Sequence, residues 1–308
     1  MKVWIAHEVG RELIGELPAG VTLEVCPDAI ALPSDPSDVQ FWVPPFLPAA
    51  RAPEMLAKLS AVRAIQLLSA GADAWVGRVP DGVTLCDARG VHDAPVAEWV
   101  VGAAVGMMRA FPAFARAQER EEWAFDRYAP TRELTGARVL IVGAGSIGRA
   151  IERHLAPFDV TVTRVARTAR PDEDVHAVDR LPDLLPYADV VVLVVPLTDA
   201  TRGLVDAAFL AAMPDGALLV NAARGPVVDT AALVAELGSG RLSAALDVTD
   251  PEPLPPGHPL WRLPNVFLTP HTGGAVPGLL PRAYRLAGDQ LRRFAAGEPL
   301  INRVVAGY

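Results

Sequence analysis

The stretch Gly143-Ala144-Gly145-Ser146-Ile147-Gly148 constrains this chain more than any other part of it. It follows the apolar run Val139-Leu140-Ile141-Val142 and opens a helix-like run that reaches Leu155. Strand, three spaced glycines and helix are the opening of a nucleotide-binding βαβ unit. Gly143 permits the tight turn, Gly145 lets the backbone approach a pyrophosphate, and Gly148 lets the helix pack close to the sheet. Ser146 and Ile147 then stand at the helix start, where free N–H groups and the helix dipole attract phosphate.

What surrounds the loop has the same character. Apolar runs at Val139–Val142, Val160–Val165, Val190–Val195, Ala217–Asn221, Ser243–Asp247 and Val266–Thr269 read as six strands. Helices fit between them at Ile147–Leu155, Ala207–Met213 and Ala231–Leu237. That is the layout of a doubly wound Rossmann fold. The first part of the chain repeats the alternation on its own account. Val3–Ile5, Leu23–Val25, Phe41–Val43, Ile65–Leu68 and Thr84–Cys86 read as strands, with a helix over Ala49–Leu59. A helix starting near Asp93, with Pro95 tolerated in its first turn, runs to about Arg109, where Pro112 ends it. Phe114–Trp123 reads as a further amphipathic helix, and Leu280–Ala296 as a last one that carries the chain back. At 308 residues the chain exceeds what one core usually holds. The expected class is therefore α/β, with two doubly wound parallel-sheet domains.

The second strand after the glycine loop bears on the cofactor. An NAD site usually has Asp or Glu there, bonding the ribose 2′-hydroxyl. Here the strand ends Val165-Ala166-Arg167-Thr168, with no carboxylate. Arg167 and Thr168, helped by Arg170, suit a 2′-phosphate, so NADP is expected over NAD. A net charge of −8 makes such local cations necessary for an anionic cofactor.

Four polar residues stand just beyond the late strands: Arg224, Asp247, Glu252 and His271. In an open α/β sheet, ligands bind at the carboxyl ends of the strands. Reduction of a 2-oxo acid needs a cation for the carboxylate and for charge growing on the carbonyl oxygen, which arginine supplies. It also needs a proton donor, which His271 can be near neutral pH, with Glu252 orienting the ring. In the oxidative direction the neutral histidine is the base.

Composition removes other classes. With a net negative charge and no basic run, no nucleic-acid partner is expected. The most apolar stretch, around Val96–Met108, carries Glu98 and is shorter than a membrane span of ~20 residues, so no membrane partner is expected. The first apolar run is too short for a secretory signal, and Cys26 and Cys86 form no paired motif or metal-ligand pattern. A cytoplasmic location is expected.

With these residues in view, the chain resembles the D-isomer-specific 2-hydroxyacid dehydrogenases, including glyoxylate and hydroxypyruvate reductases. The likeness spans nearly the whole sequence. It is strongest in four stretches: Gly143–Gly148; Val195–Thr198 with Thr201–Leu204; Asn221–Asp229; and Ala245–Val248 through Glu252–Leu254, then Leu268–His271. The resemblance implies that Arg224, Glu252 and His271 are catalytic. It implies that Asp247 lies near the nicotinamide amide and that Pro196 and Thr201 belong to the cofactor site. The substrate carboxylate would meet backbone N–H groups around Ser69-Ala70-Gly71. The implied layout is a flavodoxin-like substrate domain of residues 1–97 and 284–308. A Rossmann cofactor domain of 98–283 is inserted in it, with the catalytic crevice between hinged domains. Relatives are mostly homodimers, with an arm that Phe114–Trp123 would match.

Two places depart from the family pattern. Phe41-Trp42-Val43-Pro44-Pro45 ends in two prolines where relatives often carry a polar or basic residue, and Trp42 either narrows the pocket or packs in the core. His92 stands where relatives often have asparagine. Glu252, replaced in formate-oxidising relatives, is present here, which disfavours formate oxidation. The competing readings are a non-catalytic dinucleotide sensor that binds proteins and an oxidation of the phosphite or formate type.

Overall fold

The computed structural model describes residues 1–28, 30–46 and 51–305, omitting the side chains of 52 and 53. The chain divides into two units: Met1–His92 with Val276 onward, and Asp93–Ala275.

In the first unit the chain runs β1 (Lys2–Ile5), α1 (Gly10–Leu13), β2 (Thr22–Val25), β3 (Val39–Val43), α2 (Ala52–Leu56), β4 (Ala64–Gln66) and β5 (Thr84–Cys86). The sheet order is β2-β1-β3-β4-β5 and every pairing is parallel. This is the flavodoxin-like order, with its switch point between β1 and β3. Side chains alternate across the strands. Val3, Ile5, Phe41 and Val43 are buried in one cluster, and Trp4, Trp42, Ile65 and Met55 in another. Trp42 is 1% exposed and meets Trp75 edge-on at 5.5 Å, so it is a core residue. The expected helix over Ala49–Leu59 is shorter, and its residues 49 and 50 lie outside the described residues. β4 stops at Gln66, two residues before the expected Leu68. Leu67 and Leu68 stay buried but lie beyond the strand.

The second unit runs α3 (Asp93–Met108), α4 (Phe111–Glu119), α5 (Phe125–Tyr128), β6 (Arg138–Val142), α6 (Ser146–Leu155), β7 (Thr161–Ala166), β8 (Val175–Ala177), α7 (Leu181–Leu184), β9 (Val190–Leu193), α8 (Ala207–Ala212), β10 (Leu218–Asn221), α9 (Thr230–Ser239), β11 (Ser243–Leu246) and β12 (Val266–Leu268). Its sheet order is β12-β11-β10-β9-β6-β7-β8, again all parallel. Central strands such as β9, Val-Val-Val-Leu, are wholly buried, as a sheet covered on both faces requires. Asp206 and Asp229 start α8 and α9 by accepting hydrogen bonds from Phe209 N (2.8 Å) and from Ala231 N and Ala232 N (2.9 and 3.1 Å).

Three expectations change here. The sheet has seven strands rather than six. The extra one, β8, is a three-residue Val-His-Ala edge strand, too short to show a period in sequence. The arm helix is Phe111–Glu119 rather than Phe114–Trp123. Pro112 lies in its first turn, where a missing N–H costs nothing, and Trp123 lies beyond its end, 96% exposed. The second unit begins at Asp93 rather than 98, because Val96, Ala97, Val100 and Ala104 of α3 share a core with Ile151 of α6. It ends at Ala275 rather than 283. The last helix, α10 (Leu279–Ala296), buries Ala283, Tyr284, Ala287 and Leu291 with Val3, Ile5 and Phe41 of the first unit. Among the described residues, no helix is long and apolar enough to cross a membrane.

Candidate active site

The glycine loop joins β6 to α6 in the shape its sequence requires. Gly143 has φ +123°, and a Cβ there would lie 2.5 Å from Val194 O. A Cβ on Gly148 would lie 2.0 Å from Gly143 O, so only glycine lets α6 start this close to the turn. Gly145 is different: a Cβ there would meet nothing within 4 Å, and the residue is exposed. Open space at Gly145, at the N-cap of the ten-residue helix α6, fits a dinucleotide pyrophosphate. Ile147 is half-buried in the first turn. The Ser146 hydroxyl bonds the carboxylate of Asp93 at the start of α3. In sequence Asp93 marks only the start of a helix, and no local signal ties it to the loop.

Gly143 N bonds Val165 O at 2.8 Å, which sets the glycine loop against the end of β7. Beyond that end come exposed Arg167 and Thr168, then Arg170. Arg170 Nη2 donates to Ala144 O of the glycine loop at 2.7 Å, and Nη1 pairs with Glu173 at 3.2 Å. Arginines and a hydroxyl, with no carboxylate at the strand end, form a set suited to a 2′-phosphate. Following β9, Thr201 Oγ1 donates to Pro196 O at 2.6 Å and accepts from Thr198 N at 2.8 Å. Its hydroxyl therefore closes the Pro196–Thr201 loop on itself, and Pro196 is exposed there.

Arg224, Asp247, Glu252 and His271 follow β10, β11 and β12, three neighbouring parallel strands, at their carboxyl ends. Asn221 ends β10 and shapes the turn, its Oδ1 accepting from Ala223 N (3.0 Å) and its Nδ2 donating to Arg224 O (3.1 Å). Arg224 is half-buried, and its Nη1 donates to Ala223 O at 2.7 Å. A Cβ on the next residue, Gly225, would lie 1.9 Å from Thr249 O. Glycine there lets the arginine turn lie directly against the loop that leads to Glu252.

His271 Nδ1 and Glu252 Oε1 are 2.7 Å apart. A carboxylate only accepts, so Nδ1 carries a proton and Nε2 is the nitrogen available to a substrate. Both side chains are exposed, His271 46% and Glu252 41%. His271 has φ +56°, a left-handed conformation that side chains rarely take. It is held by two backbone bonds, His271 N to Asp247 O (2.7 Å) and to Thr269 O (3.0 Å). Asp247 is 5% exposed. Its Oδ1 accepts from Thr269 Oγ1 (2.6 Å) and Thr272 N (2.8 Å), and its Oδ2 from Gly273 N (2.9 Å). The sequence points to Asp247 as a cofactor neighbour. Its role as the anchor of the histidine turn is visible only in the fold.

In the first unit, Ser69-Ala70-Gly71 follow β4. Ser69 Oγ donates to Gly71 O at 2.8 Å, and Ala88 N bonds Ser69 O at 2.8 Å, so the loop is pinned at its base. His92 Nε2 lies 2.9 Å from Leu68 O, just before the same loop.

A seven-stranded Rossmann sheet with an open glycine loop and a Glu–His pair at its last strands defines a nicotinamide-dependent dehydrogenase. The sequence profile of the D-isomer specific 2-hydroxyacid dehydrogenase NAD-binding domain matches residues 101–273. The chain belongs to the D-isomer specific 2-hydroxyacid dehydrogenase family. It is 36% identical over 235 residues to a glyoxylate reductase of Thermofilum pendens, covering 73% of this chain and 69% of that one. A D-isomer specific 2-hydroxyacid dehydrogenase from Xanthobacter autotrophicus Py2, solved in complex with NADPH and MES, matches with TM-score 0.85 at 32% identity, over 100% of this chain and 99% of that one. An NADPH-dependent glyoxylate/hydroxypyruvate reductase from Sinorhizobium meliloti, solved with NADP and sulfate, matches with TM-score 0.85 at 26% identity, over 100% and 99% of the two chains. The protein is an NAD(P)-dependent D-2-hydroxyacid dehydrogenase.

Proposed function

We propose that this dehydrogenase reduces a small 2-oxo acid of the glyoxylate or hydroxypyruvate kind to its D-2-hydroxy acid, with NADPH preferred over NADH. The observation that carries the reading is the 2.7 Å contact between His271 Nδ1 and Glu252, which leaves Nε2 as the proton carrier. Bound NADPH supplies the hydride for the carbonyl carbon. His271 Nε2 gives a proton to the carbonyl oxygen as that oxygen gains charge, and the exposed ring recovers one from water. Arg224 offers its planar guanidinium to the same oxygen and to the substrate carboxylate. Backbone N–H groups around Ser69-Ala70-Gly71 bind the carboxylate, and Asp247 holds the histidine turn beside the nicotinamide.

Gly143, Gly145, Ser146, Ile147 and Gly148 cradle the pyrophosphate, and the Pro196–Thr201 loop borders the dinucleotide. Arg167, Thr168 and Arg170 at the end of β7 support the preference for the 2′-phosphate. The relatives solved with NADPH and NADP point the same way. The buried, unpaired Cys26 and Cys86 suit a reducing cytoplasm. A homodimer belongs to the same reading. Phe111, Trp123 and Phe125 are exposed, and an apolar groove of ≈460 Å³ lined by Trp99, Gly102, Gly106, Met107 and Phe267 lies on the same unit.

The test is the oxidation of NADPH and NADH by purified protein with glyoxylate, hydroxypyruvate, pyruvate and phenylpyruvate. Turnover of the small acids with a higher kcat/KM for NADPH is expected. Silence with every acid while NADPH still binds overturns the reaction, and equal or better use of NADH overturns the role of Arg167.

A further inference from the structure

His7 follows β1 at the carboxyl edge of the first unit's sheet, beside the switch point between β1 and β3. The Tyr284 hydroxyl of α10 accepts from His7 N at 2.9 Å and lies 3.0 Å from His7 Nδ1, with the two rings edge-on. Tyr284 is 0% exposed, and a Cβ on Gly10 would lie 2.5 Å from its ring, so glycine at the start of α1 makes the space the tyrosine fills. A buried hydroxyl needs an acceptor for its own proton. Among the described residues, the acceptor beside Tyr284 is His7 Nδ1. The imidazole is therefore fixed as the tautomer with its proton on Nε2. Burial pushes the Tyr284 phenol up to about 12, so it keeps its proton, and burial lowers His7, which favours the neutral ring. Nε2–H has no acceptor among the described residues.

The strand ends around it set what that donor can reach. Register aligns Ile5 with Val43, and Trp42 with Ile65, so counting onward puts Pro45 and Leu68 level with His7. Pro44 and Pro45 have no N–H, so the end of β3 offers no backbone donor at these positions. β1 and β4 are separated by β3, which at ~4.8 Å per strand puts His7 about 10 Å from the loop that begins at Ser69. That ~10 Å separates the backbones; the His7 ring reaches ~4–5 Å from its Cα, so a three-carbon acid held at the loop by its carboxylate, ~4 Å from carboxyl to C3 oxygen, comes within hydrogen-bond reach of the side chain.

We propose that His7 is a specificity-determining residue whose Nε2–H donates to an oxygen on C3 of the 2-oxo acid, selecting hydroxypyruvate over pyruvate. The inference rests on the reductase reading and on carboxylate binding at Ser69–Gly71. The decisive comparison is kcat/KM for hydroxypyruvate against pyruvate with NADPH, in the unaltered protein and in His7→Leu, His7→Asn and His7→Gln. Glutamine carries an N–H to about where Nε2 stands, whereas asparagine and leucine do not.

A preference for hydroxypyruvate of about tenfold or more is expected in the unaltered protein. It should be retained in His7→Gln and lost in His7→Leu and His7→Asn, with pyruvate turnover and NADPH binding little changed. An unaltered protein that treats both acids alike overturns the proposal without any variant. Variants that keep the preference, or lose activity on both acids equally, overturn it while leaving the reductase reading intact. No turnover of any acid overturns that reading, and this proposal with it.

Discussion

Replacing Asp247 tests whether His271, the proposed proton carrier, is held by the buried carboxylate beneath it. The Asp247 side chain accepts three hydrogen bonds, from Thr269 Oγ1, Thr272 N and Gly273 N, at 2.6–2.9 Å. Hydrogen bonds to a charged acceptor are worth about 1.5–3 kcal/mol each, and a buried donor left alone costs about 1–3 kcal/mol. Asp247→Ala removes all three. Allowing for water entering the space, the cost is about 3–6 kcal/mol. In a unit of this size that lowers Tm by roughly 10 °C or more. Asp247→Asn keeps Oδ1 for Thr269 and Thr272 but sets an N–H₂ against Gly273 N, so it should lose about half as much. Activity should fall as well. His271 sits at φ +56°, a conformation costing about 1–2 kcal/mol, and only the neighbouring bonds keep it there. Once the turn relaxes, Nε2 moves, and a displacement of ~1 Å can cost about a hundredfold in rate. The assay is thermal unfolding by circular dichroism alongside kcat with saturating NADPH. An alanine variant with Tm within about 2 °C of the parent and unchanged kcat would refute the anchoring role.

His271→Ala should lower kcat by ~10²–10⁴-fold while the NADPH Kd, read by fluorescence, stays the same. A full rate would remove His271 as proton carrier. Gly148→Ala puts a Cβ 2.0 Å from Gly143 O, backbone against helix, so dinucleotide binding should be lost by calorimetry; retained affinity would contradict the described loop. Ala166→Asp combined with Arg167→Gln should move the ratio of NADPH to NADH efficiency toward NADH, since a carboxylate at the end of β7 repels a 2′-phosphate and accepts from a 2′-hydroxyl. Arg138 hydrogen-bonds Asp189 at 2.9 Å and holds its carboxyl below the usual carboxylate range. A depressed folded value means that this stability is present above the ordinary carboxylate pKa and is lost as pH falls through the folded one. Asp189→Asn should therefore cost about 1 kcal/mol or less at pH 7, the pair being partly exposed, and the gap should close in acid; a gap independent of pH would show that the charge contributes nothing.

Much of this protein could be read along one dimension. Runs such as Val190–Leu193 announce strands because parallel strands buried on both faces need uninterrupted apolar residues. The glycine loop announces a dinucleotide because its three glycines stand at fixed spacing within six residues, between an apolar strand and a helix. Arg224, Glu252 and His271 are legible because each follows a strand, and parallel strands deliver their ends to one edge. Signals shorter than a period escaped: β8 is three residues long, and the start of the arm helix lay hidden behind Pro112.

Sequence by itself thus determined the α/β class and the glycine loop, because these depend on residues close together in the chain, and it put Arg224, Glu252 and His271 just beyond successive strands. Tertiary structure decided what holds them. Asp247 meets Gly273 across 26 positions, Ser146 meets Asp93 across 53, and His7 meets Tyr284 across 277. Whether Trp42 lined a pocket or filled a core was likewise settled by Trp75 packing against it. These contacts follow from the register of strands laid side by side and from a last helix returning to the first sheet, and no window of the sequence contains both partners.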